Sequence, residues 1–262
     1  MIHLPFSTRL RLLRNKRYED WWHIVFGGPL GVLVAASVAE VRWITPNLVT
    51  IVGFVLRLAG AGLVVVRAPW ADVAALVLLE LSLVLDITDG SLARYRKQPS
   101  ALGAFLDKIT DGASLAALGF ALGVRAWLDG HGLVHVLAGA FLGTSYLLRC
   151  YMYWVVAYLE RERAAPASVV ATDVRPFGEL SFGERLRYYL AQTWRIVMFG
   201  EGDVYFWVGL ALLLQRPSDI VLPLAGAMAV WLLLLAVRRV GTVIRLDRAA
   251  AAARAQAREA TP

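Results

Sequence analysis

Residues 85–112 read LDITDGSLARYRKQPSALGAFLDKITDG, from Leu85 to Gly112. Four acids, Asp86, Asp89, Asp107 and Asp111, stand in an otherwise apolar stretch. Asp86 and Asp89 are three apart and Asp107 and Asp111 four apart, so each pair shares one helix face. Pro99-Ser100 provides the turn between two helices, which then run antiparallel and bring both pairs to one depth. An aspartate at the centre of a membrane helix costs about 2.5–3.5 kcal/mol on the insertion scale. Four acids near the end of two such helices therefore require partners or a function. Arg94 and Lys108 are too few cations to neutralise them, and hard divalent cations with carboxylate oxygen ligands fill the deficit.

The surrounding chain supports a membrane reading. It has 262 residues, of which 58% are hydrophobic and 18% charged. Soluble domains are nearer 45–50% apolar and 25% charged. Apolar runs long enough for about 30 Å of hydrocarbon fall at 46–66, 71–93, 103–126, 134–158 and 219–238, with a shorter one at 203–215. A further stretch, 24–41, contains Gly27-Gly28-Pro29, a triplet expected to break a helix.

Charge selects the topology. The net charge is +7, and cytoplasmic loops collect Lys and Arg. If 203–215 spans and 24–41 does not, nearly all cations outside the spans fall on one side. Only Arg67, Arg125 and Arg216 fall opposite. The expectation is an all-α polytopic membrane protein with six transmembrane helices and an N-terminal interfacial amphipathic segment. Residues 1–44 form that segment, 45–240 the six-span domain and 241–262 a basic tail. Both termini are cytoplasmic, in the plasma membrane of a prokaryotic-type cell. Residues 183–198 read as an amphipathic surface helix. Residues 1–20 lack the apolar core of a cleavable signal peptide. The single Cys150 rules out an intramolecular disulfide. The arginines are scattered between apolar runs, which argues against nucleic acid as the partner.

Asp86, Asp89-Gly90, Ala93-Arg94, Gly103, Asp107 and Asp111 together resemble the signature of the class I CDP-alcohol phosphatidyltransferases. Thr45-Pro46-Asn47 and Thr50 at the start of the first span also resemble that family. The resemblance implies transfer of a substituted phosphoryl group from a CDP-linked donor to a hydroxyl, with release of CMP. It implies two divalent ions, Mg2+ or Mn2+, held by Asp86, Asp89, Asp107 and Asp111, with Asp111 and Asp107 as catalytic carboxylates. It places CDP at Asn47, Thr50, Gly90, Ala93, Arg94 and Gly103. A membrane-embedded site favours CDP-diacylglycerol as donor and a polyol phosphate as acceptor; a soluble CDP-polyol donor is the alternative within the family. A cation or solute transporter is the alternative from another class. Such proteins, however, place ion sites near mid-membrane on broken helices, often in paired repeats. The family also implies a homodimer, for which the small residues of 112–123 offer a packing stripe.

Other charges are read one by one. Arg57 and Glu80 lie at similar depth and are expected to pair. Arg149, among Tyr146, Tyr151 and Tyr153, either holds the acceptor phosphate or reaches the interface. Arg195 is a second candidate for the acceptor. Glu201 and Asp203 read as charges at a helix end. His23, His131 and His135 show no ligand spacing and receive no role.

Overall fold

The computed structural model describes residues 4–14, 20–163, 180–192 and 200–259, and among them every regular element is helical. Among the described residues nine α-helices follow in chain order: α1 (Phe6–Leu13), α2 (Gly28–Val38), α3 (Pro46–Val64), α4 (Pro69–Tyr95), α5 (Ala101–Leu128), α6 (Leu133–Arg163), α7 (Phe182–Gln192), α8 (Glu201–Leu213) and α9 (Val221–Glu259). Segments Pro46–Val64, Leu133–Glu162 and Val221–Ala252 are long and apolar enough to cross a membrane. The 27-residue α4 and 28-residue α5, each about 40 Å long, carry the site's charges and fall outside that group. The 13-residue α8 reaches only about 20 Å.

The ends of these helices follow from their residues. Thr45 accepts from the Leu48 amide at 3.2 Å, and Pro46 starts α3, where its missing N–H costs nothing. Ser100 accepts from the Gly103 amide at 2.9 Å and starts α5 right after Pro99. Ser181 and Glu184 form a reciprocal capping box ahead of α7. This surface helix matches the first part of the expected 183–198 segment; residues 193–198 lie outside the described residues.

Gly27-Gly28-Pro29 does not break the helix. A π-helical turn, His23–Gly27, leads straight into α2, and Pro29 sits in the first turn, where proline is tolerated. The glycines serve packing instead. A Cβ on Gly31 would lie 2.6 Å from Ile87 Cβ, so its absence lets α2 lie against α4. Residues 20–38 are therefore built into the bundle. Trp22 stacks on Phe26 and packs on Phe206 of α8, both at 4.9 Å between ring centroids. The Trp21-Trp22 pair anchors this segment to the protein.

Arg96, read from sequence as one more loop cation, closes the turn between α2 and α3. Its guanidinium donates to the carbonyls of Ile44 (2.7 Å), Val41 (2.8 Å), Ala39 (3.0 Å) and Val38 (3.1 Å). Val38 and Ala39 stand at the C-terminal end of α2, where carbonyls run out of intrahelical donors, and Val41 and Ile44 lie in the connection to α3.

Gly112, Gly119 and Gly123 face α6 and not a free surface. A Cβ on Gly119 would lie 2.6 Å from the Gly139 carbonyl oxygen, and one on Gly143 2.6 Å from Ala116 Cα. Two glycine faces thus bring the α5 and α6 backbones into contact, the small-residue packing that apolar solvents favour. The stripe offered for a homodimer is used within the chain. The tail after 240 continues α9 without interruption to Glu259. The main core lies among α3, α4, α5, α6, α8 and α9, around Leu83, Leu118, Leu122, Tyr205, Val208 and Leu224.

Candidate active site

Helix α3 packs along both α4 and α5, and the three meet beside the Pro99-Ser100 connection. A cavity of about 950 Å³ opens there. It is lined by Asp86, Asp89, Asp107 and Asp111, and also by Asn47, Thr50, Gly90, Ala93, Arg94 and Gly103. Those ten residues, drawn from three helices, were singled out from sequence.

The four acids are not equivalent. Asp86, Asp107 and Asp111 each place a carboxylate oxygen within 4.8 Å of the others. Asp89 stands outside that group, and its Oδ2 accepts from Thr50 Oγ1 at 2.5 Å. Thr50 also donates to the Pro46 carbonyl at 3.1 Å. Asp89 is buried, whereas the Asp107 side chain is 34% exposed, so Asp107 stands at the open side of the cluster.

Arg57 adds a cation to the carboxylate cluster. Its Nη2 lies 2.8 Å from Asp86 Oδ1 and its Nη1 2.8 Å from Asp111 Oδ1. The expected Arg57–Glu80 pair does not form. Glu80 accepts instead from Trp22 Nε1 at 2.9 Å. Equal depth was the wrong criterion: α3 turns Arg57 toward the carboxylates, and residues 20–27 supply Glu80 with a donor. Lys108 contacts Asp107 at 2.6 Å and Asp111 at 3.6 Å.

The donor set fits a divalent cation. Three convergent carboxylates of high oxygen basicity, with no nitrogen or sulfur ligand among them, suit Mg2+ or Mn2+. Arg57 and Lys108 offset part of the negative charge but leave Asp89 without a cationic contact among the described residues.

Two glycines shape the rest of the cavity wall. A Cβ on Gly103 would lie 3.1 Å from Asn47 Oδ1 and 3.0 Å from Ser100 Oγ, so glycine keeps that wall open. A Cβ on Gly90 would approach Arg94 Nη1 at 3.2 Å. Arg94 itself donates to Ser91 Oγ at 3.2 Å.

Arg149 also lines the cavity. Its guanidinium carbon lies 5.9 Å from the rings of both Tyr146 and Tyr153, and its Nη1 is buried without a hydrogen-bond partner. Tyr151 is 66% exposed and takes no part. Arg195 lies outside the described residues. Asp203 is fully buried, accepting from the amides of Gly200 (3.1 Å) and Trp22 (3.2 Å). It thus joins α8 to the N-terminal segment.

Two further lining residues had no role from sequence: Asp20 was not singled out, and His23 was read as having none. Asp20 and His23 reach the cavity from the N-terminal segment, with Asp20 Oδ2 3.1 Å from His23 Nδ1. Their i,i+3 spacing was the available signal. Nothing local linked them to a site more than 60 residues away along the chain.

Two curated relatives match parts of the chain. A CDP-diacylglycerol–glycerol-3-phosphate 3-phosphatidyltransferase of Cereibacter sphaeroides is 42% identical over 96 residues, 33% of this chain and 42% of the relative. A bifunctional IPC transferase and DIPP synthase of Thermococcus kodakarensis is 39% identical over 94 residues, 34% of this chain and 21% of the relative. The chain thus spans less than half the length of each of these two relatives. A whole-family comparison reaches much further: residues 43–259 match CDP-alcohol phosphatidyltransferase, and the chain belongs to that family.

Proposed function

We propose that the protein is an integral membrane CDP-alcohol phosphatidyltransferase of phospholipid synthesis. It moves a phosphatidyl group from CDP-diacylglycerol to the hydroxyl of a polyol phosphate. The observation that carries this reading is the convergence of Asp86, Asp107 and Asp111 within 4.8 Å at the mouth of a 950 Å³ cavity. In the reaction the acceptor oxygen bonds to the phosphatidyl phosphorus. The bond from that phosphorus to CMP breaks, and CMP leaves with the electron pair. The hydroxyl proton passes to a carboxylate within hydrogen-bond reach, Asp111 or Asp107.

Asp86, Asp89, Asp107 and Asp111 hold two Mg2+ or Mn2+ ions in this reading. When bound, such ions supply charge neutralisation at the diphosphate and its leaving oxygen. Asn47, Thr50, Gly90, Ala93, Arg94 and Gly103 receive the cytidine diphosphate. Thr50 holds Asp89 in one rotamer, and Arg57 braces Asp86 against Asp111. Arg149, with an unused buried donor, grips the acceptor phosphate, and Arg195 assists. The acids gather where the end of α4 and the start of α5 meet α3, which suits chemistry at a membrane face better than ion passage through it.

The proposed topology is six spans, α3, α4, α5, α6, α8 and the apolar part of α9, with both termini cytoplasmic in the plasma membrane. Residues 1–44 form an accessory segment, 45–240 the catalytic domain and 241–262 a tail. The working unit is a homodimer whose interface lies away from the α5–α6 glycine faces.

The test is CMP release from CDP-diacylglycerol in Mg2+ with a panel of polyol phosphates. Asp107→Asn and Asp111→Asn each lower the rate about 10²- to 10⁴-fold while the variants elute as folded protein. Absence of CMP release with every acceptor refutes the function. Full activity in both variants refutes the site.

A further inference from the structure

Among the described residues, three have the left-handed backbone that favours glycine: Lys97 (φ 54°), Gly130 (φ 90°) and Gln215 (φ 58°). All three stand just past a helix, and each closes the same double turn. At the end of α4 the Gln98 amide reaches the Ala93 carbonyl at 2.9 Å and the Lys97 amide reaches the Arg94 carbonyl at 3.1 Å. His131 and Gly130 repeat the pattern after α5, and Arg216 and Gln215 repeat it after α8. Glycine suits this position because it lacks the Cβ that clashes there. Any other residue at it needs a side chain whose work offsets the strain.

For Gln215 that work is local. Its Nε2 donates to the Leu212 carbonyl at 3.1 Å and to the Pro69 carbonyl at 3.4 Å, which ties the end of α8 to the start of α4. Lys97 has a different setting. It is exposed and lines the cavity, together with Arg94 from the same end of α4 and Gly103 from α5. A cation is favoured at a helix C-terminus, but Arg94 and Arg96 already stand in and just past the last turn of α4. Lys108, the other lysine lining the cavity, is engaged by Asp107 at 2.6 Å.

Resting on the donor reading above, we infer that Lys97 is a further binding residue for the CDP-linked donor, its ammonium contacting the diphosphate. Arg94 offers a planar fork of donors, whereas lysine is a compact charge on a flexible stem that can follow phosphate oxygens. The same turn built with glycine would be more relaxed and would lack the charge. Stability and donor affinity are therefore set against each other at this one position.

The experiment measures both. The full chain in neutral detergent is melted without nucleotide, titrated with soluble CDP in Mg2+, and assayed for CMP release from CDP-diacylglycerol. Lys97→Gly raises the Tm by about 2–4 °C and weakens CDP binding about tenfold, with a parallel rise in donor KM. Lys97→Asn, which tolerates the left-handed turn without the charge, weakens CDP binding by a similar factor. Lys97→Arg, which keeps the charge, retains most of the affinity. Added salt lowers the CDP affinity of the parent more steeply than that of Lys97→Gly. Parent-like CDP affinity in both Lys97→Gly and Lys97→Asn overturns the inference. A lowered Tm in Lys97→Gly assigns Lys97 to structure and also overturns it. So does a loss confined to assays in vesicles rich in anionic phosphatidylglycerol, which assigns the charge to the lipid surface. A parent that binds no CDP refutes the donor reading on which the inference rests, so the two failures are told apart.

Discussion

Arginines bridge two carboxylates at both ends of this bundle, and the two arrangements differ in what is left over. At one end Arg125 of α5 contacts Asp72 at 2.9 Å and Asp129 at 2.9 Å, and also donates to the carbonyls of Val64 and Val66 at 3.0 Å. Asp129 takes Arg67 at 3.0 Å and Ser218 Oγ at 2.7 Å. Two cations meet two anions there, and the cluster ties the α3–α4 connection to the end of α5. At the other end Arg57 bridges Asp86 and Asp111, but Asp89 and Asp107 add two more acids and a cavity opens beside them. The same ion-pair chemistry is structural where charges balance and packing closes over them. It becomes a candidate for catalysis where negative charge is in surplus and space remains.

The sharpest way to break that contrast is Arg125→Met. It leaves Asp72, 1% exposed, as an unpaired buried acid, a loss of about 3–5 kcal/mol. Thermal unfolding in detergent should show a large drop in Tm, with turnover per folded molecule nearly unchanged. An unchanged Tm would remove the structural half of the comparison.

Arg57→Met is expected to act the other way round. CMP release falls at least about 10²-fold, because Asp86 and Asp111 lose the brace that sets their geometry. The stability loss is smaller than for Arg125→Met, since water and cations reach the acids through the cavity. Mg2+ should raise the Tm of this variant more than that of the parent, by mass action on the folded state. EDTA should lower the Tm of the parent and leave the Arg125 end untouched. A melting curve indifferent to both would count against the carboxylates as a cation site.

Thr50→Val makes the smallest change. It deletes one hydrogen bond to Asp89 in a nearly isosteric exchange, an effect of about 1 kcal/mol. We expect a rise of several-fold in donor KM with little change in Tm. No change in either parameter would show that Asp89 keeps its position without Thr50.

The site was legible in sequence where it is local. Asp86 with Asp89 and Asp107 with Asp111 announce themselves by helical spacing, and Pro99 and Ser100 mark the break between their helices. The partner of Arg57 was not legible. Distance along a helix gives depth, but the direction a side chain faces around the helix axis matters only relative to neighbours the sequence does not place. The same gap hid the work of Arg96, whose acceptors lie 52–58 residues earlier. It also hid the packing of the 112–123 glycines, which looked like a free face until α6 covered it.

Sequence by itself determined the helical class, the hydrophobic composition of the helices, the helix break at Pro99-Ser100 and the four acids, because all depend on short-range periodicity and solvent preference. Tertiary structure alone decided which acids converge, which cation braces them and which N-terminal residues enter the cavity. Those outcomes depend on how rigid helices rotate and lean to fill space, a collective solution that no single segment contains.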